Sequence, residues 1–332
     1  MPEPLWISES DVVSLVNLID AIDALERGLL REAEGKARNM LKTHVAWGGS
    51  TLHALGAVFP DDGFAGTKTW AHTEGGATPL LILLDSNSGE LKAIIEAFAL
   101  GQMRTAAASA VATRWLAAEG ADELAIIGTG KQASSQVAAV MAVRPIKRVR
   151  VFSRDPERRA AFALRVNEEF QTTAITASSI AEAVDAAKII TVVTRAAEPI
   201  LHAEMIAPGA HVNAIGAIVP SKAEIARNVL SRCNQIVVDS VPSAQKLAKE
   251  LIDYLGACQT NWRRVRSLAE VVSAGLRRDS GDDITLFKSL GMGISDLALG
   301  IELYRKAAQA GVGRNFPHPR KVAPALTIAE RN

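Results

Sequence analysis

Only two cysteines, Cys233 and Cys258, occur in 332 residues. That excludes a disulfide framework and a cysteine-based metal site, and it fits a reducing compartment. An excess of one charge is also missing: 37 basic against 36 acidic side chains leave +1, which argues against a nucleic-acid binder. No uninterrupted apolar run is long enough to span a bilayer, so no membrane partner is expected. Met1 to Asp11 has neither a basic stretch nor an apolar core of the secretory kind. Six histidines are scattered without metal-ligand spacing, so no metal is expected, and no Ser/His/Asp order stands out among so many serines and aspartates. What remains is the profile of an ordinary soluble, cytoplasmic protein, and 48% hydrophobic residues over this length suffice for about two domains.

The most informative stretch present is Leu124-Ala125-Ile126-Ile127-Gly128-Thr129-Gly130-Lys131-Gln132-Ala133. An apolar strand running into Gly-x-Gly-x-x-Ala cradles a dinucleotide pyrophosphate: Gly128 and Gly130 allow close backbone approach, and the next helix offers free amides. A helix-permissive run from Ala133 to Val143 and a second strand, Arg148 to Phe152, complete one βαβ unit. That second strand ends at Ser153-Arg154-Asp155. A small polar residue followed by arginine leaves room and charge for a ribose 2′-phosphate, which favours NADP(H). Asp155, two positions late for the ribose role, keeps NAD(H) possible, and the bland reading is a charged turn.

Upstream, a capped helix over Asp11 to Val16 and a second from Ala21 to Glu34 precede a meander. Its expected strands are Lys42–Val45, Leu52–Phe59, Ala65–Trp70 and Pro79–Leu84, broken at Gly48-Gly49, Asp61-Asp62-Gly63, Gly75-Gly76 and Asn87-Ser88-Gly89. An alanine-rich helix is expected from Arg104 to Ala118. Beyond the βαβ unit, strands at Thr172–Ile175, Lys188–Thr194, His211–Ile215 and Gln235–Asp239 alternate with helices, predicting a doubly wound parallel α/β sheet. Ile284 to Ala308 reads as one helical stretch packing back on the N-terminal region, followed by a surface tail with Pro317, Pro319 and Pro324.

Three places carry candidate chemistry. Lys68 sits inside an apolar strand, so its ammonium either snorkels to water or points into a cleft. Arg104 at a helix start opposes the dipole, which suits an anion-binding role, a surface arginine being the alternative. The strand through Ala214 and Ile215 emerges at Gly216 into a loop that, with Thr194-Arg195, lies beyond the carboxyl ends of strands, where a nicotinamide is expected. That loop has no acid. His44 and His53 are assigned no role.

These residues resemble the ornithine cyclodeaminase/μ-crystallin family of NAD(P)-dependent enzymes. The matching stretches are Gly66-Thr67-Lys68-Thr69, Arg104 to Ala110, Ile127 to Ala133, Pro208 to Gly216 and Ile284 to Gly291, in the family's order and spanning most of the chain. The resemblance implies a Rossmann domain, residues 119–299, beside an α+β substrate and dimerisation domain, residues 1–118 joined by 300–332, in a homodimer. It implies that Lys68 binds a substrate carboxylate and relays a proton, that Arg104 holds the same carboxylate, and that Leu290 lines the substrate pocket. Thr78, Lys131, Gln132, Thr194, Lys222 and Ser289 are implied at the cofactor.

Two departures matter. The catalytic aspartate of cyclodeaminases, two positions before Pro220, is Ile218 here, which can neither accept nor donate a proton. This weighs against ornithine cyclodeamination and toward ketimine reductase-like or alanine dehydrogenase-like chemistry. The family's carboxylate-binding arginine before the meander aligns with Lys42 or, with a shift, Arg38, and lysine lacks the bidentate grip. Ile218, Trp47, Trp70, Met292 and Leu290 suggest an apolar pocket. The expected reaction is hydride transfer to the C=N bond of a cyclic or open imino acid. Alanine dehydrogenase-like deamination and a catalytically silent NADPH-binding protein are the alternatives; Lys68 and Arg104 argue against the latter.

Overall fold

Two sheets organise the chain in its computed structural model, which describes residues 3–326. The first begins with β1 (Leu5–Ile7), followed by helices α1 (Glu9–Leu15) and α2 (Leu18–Ala33). Both helices start where side chains cap them: Ser8 with Asp11, and Asn17 with Asp20, each close a capping box. The meander follows as β2 (Arg38–Asn39), β3 (Thr43–Trp47), β4 (Ser50–Phe59), β5 (Phe64–Thr73), β6 (Gly76–Ala77), β7 (Leu80–Asp85) and β8 (Leu91–Glu96). Strands β4, β5, β7 and β8 pair antiparallel in turn, whereas β1 joins β8 in parallel.

Helix α3 (Phe98–Leu116) links this sheet to the second. It begins six residues earlier than the sequence suggested, so Arg104 lies in its second turn and not at its start. The dipole argument for Arg104 therefore falls. Gly101, Gln102, Arg104 and Thr105 separate Phe98 and Leu100 from the alanine-rich run that marks the helix in the sequence, and no side chain caps the start to mark it.

The second sheet opens with β9 (Glu123–Ile127), α4 (Ala133–Met141), β10 (Arg148–Phe152), α5 (Pro156–Phe170), β11 (Thr173–Thr176) and α6 (Ile180–Val184). It continues through β12 (Ile189–Val192), β13 (Ala210–Ala214), α7 (Arg227–Arg232), β14 (Cys233–Val238), α8 (Val241–Leu247), α9 (Lys249–Leu255) and α10 (Gln259–Trp262). Last come β15 (Val265–Ser267), α11 (Leu268–Ser273) and β16 (Ile284–Lys288). The order is β11-β10-β9-β12-β13-β16-β14-β15, with every pair parallel. The chain winds outward from β9 in one direction and returns beside it at β12 to wind in the other. This is the doubly wound sheet expected, and its switch point lies between β9 and β12.

Residues 284–288 correct the expectation of one helix from Ile284 to Ala308. They form a strand buried on both faces between β13 and β14, and α12 (Gly293–Ala310) starts only after Gly291. A fully buried parallel strand reads as a continuous apolar run, which periodicity does not separate from a buried helix. Strands β1 and β8 were likewise not expected.

The chain then returns to the first sheet. Helix α12 packs on α2, β4, β5 and β7, and β17 (Arg314–Asn315) adds to β1. Pro317, Pro319 and Pro324 follow without regular structure, and residues 327–332 of the expected joining segment lie outside the described residues. The approach of α12 to the meander is close: a Cβ on Gly293 would sit 1.8 Å from the Gly56 carbonyl oxygen. Backbone cannot yield as a side-chain tip can. Gly293→Ala is expected to destabilise the protein by at least ~2 kcal/mol, read as a shift in the urea midpoint at unchanged slope.

Candidate active site

The carboxyl ends of the second sheet's strands face the meander across a cleft of about 1320 Å³. Its walls come from the segments that follow β9, β10, β12, β13 and β16, together with Lys42, Leu55, Trp70, Arg104 and Thr105 from the first half. This is the crevice in which open α/β sheets bind ligands.

One end of the cleft has the features of a dinucleotide cradle. Gly128 takes φ +111°, and a Cβ there would lie 2.6 Å from the Val193 carbonyl oxygen, so only glycine lets β9 turn beneath the next strand. No side chain caps α4, whose first amide, that of Ala133, donates to the Gly130 carbonyl at 2.9 Å. Gly128, Gly130, Lys131 and Gln132 line this end, as do Ser153 and Arg154. The Ser153 hydroxyl donates to the Asp155 carbonyl at 3.0 Å. Asp155 is the N-cap of α5, accepting from the amides of Glu157 and Arg158 at 3.0 and 3.1 Å, and it pairs with Arg158. Its carboxylate thus has a structural task.

At the other end, cations gather around one buried acid. Lys68 on β5 is only 3% exposed, which rules out the snorkelling alternative. Its Nζ pairs with Asp296 Oδ1 and lies 5.2 Å from the Trp70 ring. Arg104 Nε reaches the same oxygen at 3.1 Å, too obliquely for a hydrogen bond. Asp296, in the first turn of α12, has no exposure, and its Oδ2 is buried without a partner. Lys42 Nζ donates to the Leu290 carbonyl at 2.9 Å across the cleft. Burial, reinforced by Arg104, brings the Lys68 ammonium down to about 8, and the same two causes bring Lys42 to about 8. His53 stacks on Trp70, and burial pushes its ring down to about 4, so it is neutral at pH 7.

Of the residues singled out from sequence, Lys42, Arg104, Thr194, Ile215, Ser289 and Leu290 line the cleft with those of the cradle. Ile218, Trp70 and Leu290 give it an apolar wall, whereas Trp47 lies on the exposed β3 and Met292 in the core. Lys68 sits just off the wall. Thr78, Lys222 and Ala214 are not on it: Thr78 is exposed before β7, Lys222 closes a turn on Val219, and Ala214 is wholly buried at the end of β13. Arg38 is on β2, paired with β4 away from the wall.

Three acids escaped the sequence reading, although each interrupts an apolar run. Asp296 is one. Asp239, after β14, accepts through Oδ2 from Ser289 Oγ at 3.1 Å and from the Leu290 and Gly291 amides at 2.7 and 2.6 Å, fixing the loop that supplies Leu290. Glu224 accepts from the Thr194 amide and hydroxyl at 2.6 and 2.7 Å and from the Gly216 and Ala217 amides at 2.7 and 2.9 Å. It therefore ties together the loops after β12 and β13. Burial raises both carboxyl groups above the usual range, and these donors oppose it. Glu224→Gln places an NH₂ against donors, so it is expected to weaken nicotinamide-dinucleotide binding about tenfold, measured by cofactor fluorescence titration.

The chain is similar to known proteins over most of its length. It is 33% identical to the Δ¹-pyrroline-2-carboxylate reductase of Bacillus thuringiensis subsp. konkukian over 303 residues, 87% of this chain and 88% of that one. It is 35% identical to the ketimine reductase mu-crystallin of Rattus norvegicus over 224 residues, 68% of each. Among solved structures, Thermococcus litoralis Δ¹-pyrroline-2-carboxylate reductase, in complex with NADH and L-proline, matches with a TM-score of 0.88 and 28% identity, covering 94% of this chain and 100% of that chain. The family model of the ornithine cyclodeaminase/mu-crystallin family matches residues 3–311, and the chain belongs to that family.

Proposed function

We propose that this protein is an NAD(P)H-dependent oxidoreductase that reduces the C=N bond of cyclic imino acids, such as Δ¹-pyrroline-2-carboxylate, to the L-amino acid. The observation that carries the reading is the pair of cations Lys42 and Arg104 on the wall at one end of the cleft, with Lys68 behind Trp70, beside an apolar wall that includes Ile218. A carboxylate has cations to bind there, and the ring has apolar side chains to lie against. A bound reduced nicotinamide supplies the hydride. Gly128, Gly130, Lys131 and Gln132 hold its phosphates, with Thr194, Ile215 and Ser289 toward the reacting end.

Lys42 and Arg104 hold the substrate carboxylate, and Lys68 delivers the proton that the imine nitrogen needs. An ammonium that gives up its proton near pH 8 is a better acid than an ordinary lysine. Ornithine cyclodeamination has no acid or base at Ile218 to manage a second amino group. Ser153 and Arg154 support NADPH over NADH, since Arg154 lies on the cleft wall beside a hydroxyl in place of an acid. A homodimer is supported by the apolar side chains that β3 and β4 expose, Val45, Trp47 and Leu52.

Lys68→Met is expected to lower kcat by roughly 10³-fold while NADPH affinity stays within about twofold; retained turnover overturns the assignment. With Δ¹-pyrroline-2-carboxylate, kcat should fall as pH rises through about 8, because the lysine must carry a proton to donate one. The same assay run with pyruvate and ammonia separates an amino-acid dehydrogenase, and NADH performing tenfold better than NADPH would refute the reading of Ser153 and Arg154.

A further inference from the structure

We propose that Asp296 is a positioning residue of this centre: its carboxylate keeps Lys68 charged and aimed for proton delivery while fixing Arg104 for the substrate carboxylate. This rests on the imine-reductase reading above. The geometry is specific. One oxygen, Oδ1, serves both cations, which arrive from β5 and α3, and the carboxylate itself arrives from α12. The three side chains are 4%, 13% and 0% exposed respectively, so the pairing is largely shielded from bulk water.

The remaining charges near Lys68 leave Asp296 without a substitute. Arg104 and Lys42 repel an ammonium there. Asp239, the other acid at this end, has Oδ2 committed to Ser289, Leu290 and Gly291, and its charge acts on Lys42 and is not among those acting on Lys68. Without Asp296 the ammonium would face two cations in a buried place and would shed its proton. The first turn of α12 favours a carboxylate there through the helix dipole. The unpartnered Oδ2 shows that no other hydrogen bond claims the group.

In the reaction, hydride from the reduced nicotinamide forms the new C–H bond, the C=N π pair moves to nitrogen, and nitrogen takes a proton from Lys68. Lys68 is left as a neutral amine until solvent restores its proton. Asp296 bonds to neither reacting atom; Arg104 keeps its charge balanced throughout.

Asp296→Asn tests this. Against Δ¹-pyrroline-2-carboxylate and NADPH, kcat is expected to fall about 50-fold at pH 8 and less than tenfold at pH 6, because the alkaline limb moves down by roughly two pH units. The dissociation constant for NADPH stays within about twofold. An equal loss at every pH, with the limb unmoved, overturns the proposal. Urea denaturation gives an assay-free readout: Asp296→Asn should destabilise the wild type clearly more than it destabilises Lys68→Met, and equal costs in the two backgrounds overturn the pairing. Should Asp296→Asn fail to fold, Asp296→Glu takes its place, with a changed limb expected and an unchanged one counting against. A wild type inactive on every imino acid sinks the functional reading instead, while the denaturation cycle still decides whether Asp296 governs Lys68.

Discussion

A carboxylate taken wholly out of water loses more solvation than one neighbour returns, and burying it is favourable only where several charges and dipoles converge. Asp296 meets that constraint with groups from three separate parts of the chain: Lys68, Arg104 and the start of α12. Each cation needs the acid as much as the acid needs them. The arrangement therefore fixes the meander, the linking helix and the returning helix relative to one another, and the contact of Gly293 with Gly56 gives them no room to slide.

The other buried acids solve the same problem differently. Asp239 and Glu224 take backbone amides and hydroxyls where Asp296 takes cations, and each ties down the loops at the mouth of the cleft. Bonded to the backbone in this way, they hold shape. In the proposed reaction proton chemistry falls to Lys68, which burial brings within reach of neutral pH, and Ile218 stands on an apolar wall of the cleft.

Much of this was legible in the sequence, for identifiable reasons. Gly128 stands out because backbone geometry requires a glycine there, and the short parallel strands are marked by turns on either side. Lys68 was legible as an anomaly, a charge within an apolar strand, although the sequence left both of its readings open. Asp296 was not, since an acid in the first turn of a helix is ordinary, and the cations it meets lie 228 and 192 positions away. Arg104 was found by resemblance, and the argument offered for it from the helix dipole was mistaken. The strand at 284–288 shows the limit of periodicity: buried on both faces, Ile-Thr-Leu-Phe looks the same as the flank of a helix. Likewise, nothing in the local sequence shows that of Arg154 and Asp155, both on the cleft wall, the acid is the one that caps a helix.

The wide separation of Lys68 and Asp296 along the chain also sets an order of events during synthesis. Lys68 leaves the ribosome 228 residues before the acid that neutralises it, a delay of roughly 10 to 50 s at translation rates of ~5–20 residues per second. In that interval the second sheet, contiguous in sequence, has what it needs to form. The meander does not: its strand β5 carries an ammonium bound for the interior with no counter-charge yet made. The half of the protein that emerges first thus waits for a residue made much later to complete its buried ion pair.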